Sequence, residues 1–139
     1  MQWGDGTPRV TTNPSRVVID LIDGLGWGIT VGAAIDPADN NTTLPAKLPF
    51  AGVATDGRRG GPIVAEWLVR IQLWGDNPTP LETLSQRLEA VLTQGGVTLP
   101  DGVLSIDRSL WYSPTADPTT GLLVASFTVA VKCRYDKNI

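Results

Sequence analysis

The chain has no histidine and a single cysteine, Cys133, among its 139 residues. Without an imidazole it lacks the usual general base near neutral pH and the commonest metal ligand. Ser-His-Asp and Cys-His arrangements are excluded. One cysteine without histidine also excludes the common structural zinc sites. Cys133 closes an alternating apolar run and reads as a small core residue rather than a reactive thiol. It is compatible with a reducing compartment. No apolar run approaches the ~18 residues of a membrane span. Met1–Gly6 lacks a basic region followed by an apolar one, so it does not read as a signal peptide. The expectation is a soluble protein made in the cytoplasm. A basic excess is missing as well: 11 Lys and Arg stand against 14 Asp and Glu, a formal charge of −3. That balance argues against nucleic-acid binding as the main role.

The remaining catalytic option is a pair of carboxylates. Asp20 and Asp23 are spaced on the polar side of an expected helix, where solvated acids are ordinary. Asp36 and Asp39 fall in the loop Asp36–Lys47. An EF-hand beginning at Asp36 needs glycine at its sixth position and glutamate at its twelfth, but Asn41 and Lys47 stand there. Thr55–Pro62 is Gly-rich and carries Arg58 and Arg59, as a phosphate cradle does. A P-loop, however, continues with Lys and Ser or Thr into a helix, and Gly61 leads through Pro62 into a strand. The segment reads as a mobile connection, with its arginines solvated or paired across an interface. No enzymatic activity, cofactor or metal is expected.

What is present is a strand followed by a helix. From Ile63 to Leu73 the odd positions Ile63, Ala65, Trp67, Val69, Ile71 and Leu73 are apolar, while Glu66, Arg70 and Gln72 alternate with them. Period two buries one face and leaves the other for water or a partner. Gly75–Pro78 stops the strand. Thr79 reads as a helix cap, with Pro80 at the first helical position and Glu82 at the third, completing a capping box. Leu81, Leu84, Leu88, Val91 and Leu92 follow helical spacing, and Gly95-Gly96 ends it.

Residues 1–12 show no period and read as a flexible arm. Trp3 within it either folds back on the core or docks on another subunit. Asn13-Pro14 opens a short helix with Val17, Val18, Leu21, Ile22 and Leu25 on one stripe, closed at Gly24 or Gly26. Strands are expected over about 27–35, weakly over 48–54 (where Pro49 marks an edge or a start), over 103–112 and over 123–135. In 103–112, Leu104, Ile106, Leu110 and Tyr112 share one face, with Trp111 on the other. The polar link Ser113–Gly121, carrying Asp117, is longer than a tight hairpin requires and reads as a projecting loop. The expected class is α+β: one domain over 13–139, with a mainly antiparallel four- to five-stranded sheet and two helices packed on one face. The other face shows Arg70, Trp74, Lys132 and Arg134, with Trp111 as a further aromatic. Trp and Arg together favour subunit contact, and oligomerisation also covers an unpaired sheet edge.

The run Glu66–Gly75, the capped helix Thr79–Leu84, Gly102-Val103-Leu104 and the late strand Gly121–Val129 resemble the tail terminator, or tail completion, proteins of long-tailed bacteriophages. The likeness extends over most of residues 14–135 and consists of patterns of residue type. The arm before Asn13 and the long Asp36–Lys47 loop depart from it. The resemblance implies a virion protein of the tail or neck, assembled in the host cytoplasm. It implies a homo-oligomeric ring, typically a hexamer, at the head-proximal end of the tail tube. Such a ring stops tube polymerisation and joins the tail to the head, so its partners are itself, the tube protein and a neck or head-completion protein. DNA passes through the lumen only in transit. The interface candidates are Trp3, Arg58, Arg59, Arg70, Trp74, Trp111 and Asp117. Another neck or tube protein, or a monomeric ligand-binding module, are the alternatives.

Overall fold

The computed structural model describes residues 9–34, 48–118, 121–135 and, for the backbone, 137–138. In chain order these form β1 (Arg9–Val10), α1 (Pro14–Asp23), β2 (Thr30–Ala33), β3 (Phe50–Gly60), β4 (Val64–Gly75), α2 (Pro78–Thr93), β5 (Val103–Ala116), β6 (Leu123–Arg134) and β7 (Lys137–Asn138). Five strands make one sheet in the order β2-β3-β4-β6-β5, and β1 pairs with β7 in a small second ladder. Every pair in the large sheet is antiparallel except β2 with β3. The fold is therefore α+β, with both helices packing on the sheet.

The central pair β4–β6 holds the architecture together. Its register runs without a break from Val64 opposite Arg134 to Gly75 opposite Leu123. Alternation then places Val69, Ile71, Leu73, Phe127, Val129 and Val131 on one face, where all are fully buried. Val17, Val18 and Ile22 of α1 and Leu81, Leu88 and Leu92 of α2 close over them. Burying such side chains contributes roughly 1.5–3 kcal/mol each before the entropy of ordering is counted. Cys133 is buried in the same core.

Local signals set the helices. The Asn13 side chain accepts from the Arg16 N–H at 3.2 Å, and Pro14 occupies the first helical position. That is the expected cap, and it satisfies one of the donors a helix start leaves free. Helix α2 departs from expectation. It begins at Pro78 with Asn77 in the capping position, and Asn77 makes no side-chain capping bond. The Thr79–Glu82 capping box does not form, because Pro78 already has the φ a first turn needs. Gly95, at φ +80°, follows the helix end as predicted.

Four segments differ from the sequence reading. The weak strand 48–54 and the connection 55–62 are one strand, β3, paired with β4 as far as Gly60. Gly60 turns the hairpin at φ +121°, where a Cβ would lie 2.7 Å from the Val64 carbonyl oxygen. Strand β5 runs on to Ala116, so much of the projecting loop is strand. Within the segment read as a flexible arm, Arg9–Val10 pairs with Lys137–Asn138, and the Trp67 indole N–H donates to Thr11 Oγ1 at 3.0 Å. The first expected strand is shorter, covering Thr30–Ala33.

The large sheet has two distinguishable ends. At the first lie the β3–β4 hairpin tip, the C-terminus of β6 and the N-terminus of β5. At the second lie the C-terminus of β4, the start of α2 and the β5–β6 connection.

Candidate interaction surface

The sheet face away from the helices is laid out by register. Crossing β3, β4, β6 and β5 in turn, one row reads Arg59, Glu66, Lys132, Ser105; another Gly57, Leu68, Ala130, Asp107. Next come Ala54, Arg70, Thr128, Leu110, then Gly52, Gln72, Ser126, Tyr112. The last row places Phe50 beside Trp74, Val124 and Thr115. The face is polar and small at its centre, and apolar along β5 and at the second end.

Each predicted interface residue has a definite place on or off this surface. Arg59 is bonded to Glu66 through Nε at 2.5 Å. The Arg70 guanidinium lies 3.6 Å from Asp56, and its Nε is buried without a hydrogen-bond partner. Arg58 points to the helix side of the hairpin, its guanidinium 5.1 Å from the Trp67 ring centroid and 5.6 Å from that of Tyr135. This stacking is favourable by ~0.5–1 kcal/mol at an exposed site. Asp117 closes the β5–β6 turn, its N–H donating to the Leu122 carbonyl and its carbonyl accepting from Gly121 N–H, both at 2.8 Å. Trp3 lies outside the described residues.

Two tryptophans differ from expectation. Trp74 is on the open face but only 2% exposed, packed with Phe50 against Leu48, Leu122 and Val124. Its indole N–H is buried without a partner. Trp111 is on the helix side: it packs on the main core and donates to Ser85 Oγ at 3.2 Å. The cause is a bulge. Arg108 opposes Val129, Leu110 opposes Thr128, and the extra residue Ser109 shifts the strand's phase. Another irregularity separates Val103 from Ser105. Val103 and Ile106 thus reach the core, while Leu104, Leu110 and Tyr112 stay 48%, 49% and 54% exposed. Strict alternation had grouped Ile106 with those three; no local sequence signal marks Ser109 as a bulge.

Strand β5 is an edge strand, and among the described residues nothing pairs its outer side. Three of the five exposed large apolar residues among those described belong to it. Bulges blunt such an edge against promiscuous pairing while leaving its side chains available to a fitted partner.

The other chemical candidates have plain structural roles. Asp20 is held by Arg16 at 3.0 Å on the exposed side of α1, with Asp23 exposed nearby. Asp36 and Asp39 lie outside the described residues. Glu89, nearly buried on α2, is paired with Arg108 at 3.2 Å. It borders a groove of about 460 Å³ with Gln86, Arg87 and Trp111. Among the described residues no group of three or more acids or cysteines is placed to hold a metal ion. No described helix is long and apolar enough to cross a membrane. Against known protein families and curated proteins, the chain matches none.

Proposed function

We propose that this chain is a ring-forming structural subunit of the tail terminator kind, set at the head-proximal end of a phage tail tube. There it stops tube growth and offers the surface on which the head is joined. The observation that carries the reading is the β5 margin, where Leu110 and Tyr112 stand exposed on the open face and Leu104 is exposed farther along the same unpaired strand. A lone monomer has no use for such a margin, whereas a fitted neighbour buries it. The resemblance of most of residues 14–135 to tail terminators supplies the partner class. The α+β arrangement with one uncovered sheet face suits it. Capping follows from shape: one surface matches a tube subunit and the opposite one does not, and heterologous contacts close a ring when their rotation closes.

The test is solution mass by light scattering over a range of concentrations, followed by addition of the protein to polymerising tail tubes. A discrete hexameric mass, or tubes halted at a fixed length, is the expected result. A strict monomer that leaves tube growth untouched overturns the proposal.

A further inference from the structure

Charge is distributed unevenly between the two ends of the sheet. At the first end stand Arg58, Arg59, Lys132 and Arg134 against Glu66 and Asp101. Arg59 is matched by Glu66, Arg134 lies 3.2 Å from Asp101, and Asp107, on β5 beside these rows and bonded to Ser105 opposite Lys132, offsets one more charge, which leaves a surplus of one basic group at this end. Ile63, 55% exposed at the hairpin tip, adds an apolar contact point to this basic end. At the second end stand Asp76 and Glu82, and among the described residues no Lys or Arg forms an ion pair with either. The segment 35–47, outside the described residues, carries Asp36, Asp39 and Lys47, so its own composition does not add a basic excess.

From this polarity we infer that copies of the chain associate head to tail, the basic hairpin end of one against the acidic end of the next. The inference deepens the proposed ring and rests on its self-association. Opposite ends of one molecule are complementary to each other, while two like ends repel. A two-fold pairing of either end with itself is therefore disfavoured, and a heterologous chain of contacts is favoured. End-to-end contact also leaves β5 and the open face free for the tube. The surplus charges are exposed, so their attraction is screened over about 8 Å at physiological salt.

The experiment uses two charge-reversed proteins and the wild type. One carries Arg58→Glu with Lys132→Glu, the other Asp76→Lys with Glu82→Lys. Wild type is expected to associate by sedimentation in about 20 mM salt and to weaken at least ~10-fold in about 500 mM salt. Each variant is expected to stay monomeric in low salt. An equimolar mixture is expected to regain the wild-type mass, because the reversed end of one variant then meets the reversed end of the other, and intact ends meet intact ends, each contact pairing opposite charges. Recovery on mixing shows that both variants are folded. Wild type that remains monomeric at every salt concentration overturns the inference. So does a mixture that stays monomeric while both variants keep the wild-type circular dichroism spectrum. A closed ring indifferent to salt and to both variants overturns this inference and leaves the ring standing. An open-ended polymer that obeys the charges overturns the ring and leaves the polarity standing.

Discussion

On the helix-covered face, Ile71, Leu73, Phe127 and Val129 are fully buried and pack on one another and on both helices. One residue away in each strand, Arg70, Gln72, Ser126 and Thr128 are half-buried and polar. The same backbone carries both sets, so the difference is one of what lies above the sheet. Where helices lie above, apolar volume is filled and stability concentrates. On the other side the surface stays mixed, and its apolar content gathers at two places: the Phe50–Trp74 cluster and the β5 margin. The first is buried already. The second is not, which makes it the region where stability and association separate.

Several substitutions sharpen that contrast. The largest loss is expected from Phe127→Ala beneath the helices, about 3–5 kcal/mol from lost burial and the cavity left behind, read from urea unfolding. Trp74→Ala belongs with it at about 3 kcal/mol or more. Trp74→Phe should cost far less, because it removes the buried indole N–H that has no partner. If Trp74→Phe matches Trp74→Ala, that N–H is satisfied in solution and the open-face cluster behaves like the main core. Asn13→Ala removes the cap of α1 and should cost ~1 kcal/mol by the same unfolding measurement. The smallest change in stability, within about 0.5 kcal/mol, is expected from Leu110→Ser combined with Tyr112→Ser. This pair should nevertheless abolish the capping of growing tubes. Capping unchanged in that variant would remove the β5 margin from the proposed interface.

Much of this fold was legible from short-range pattern. Every odd position of 63–74 and 123–134 is apolar, and the two segments pair across the sheet without a register break. Asn13-Pro14 capped its helix where the residue chemistry requires. Legibility failed where pairing partners, not local composition, decide the conformation. Gly57, Arg58 and Arg59 have poor strand character, yet they extend β3 because β4 supplies a continuous ladder beside them. The start of α2 depended on a competition between Pro78 and Pro80 that the sequence leaves even. The candidate surface was half legible. Alternation put Arg70 and Trp74 on the outer face, but it could not show that Trp74 would be covered there. Trp111, with Leu110 and Tyr112 beside it, depended on a bulge without a signature.

Ser109 is in this sense a change of parity written into the backbone. Residues on either side of it obey the same alternation, but even numbers and odd numbers exchange inside for outside as the chain passes through. Regular pairing through this point, with every residue kept, would turn Leu110 and Tyr112 toward α2 and send Trp111 outward, whereas removal of Ser109 would leave all three on their present faces. The surface a partner meets along β5 is therefore encoded less by which side chains are present than by a count. Flattening that one bulge would rewrite it more thoroughly than several substitutions.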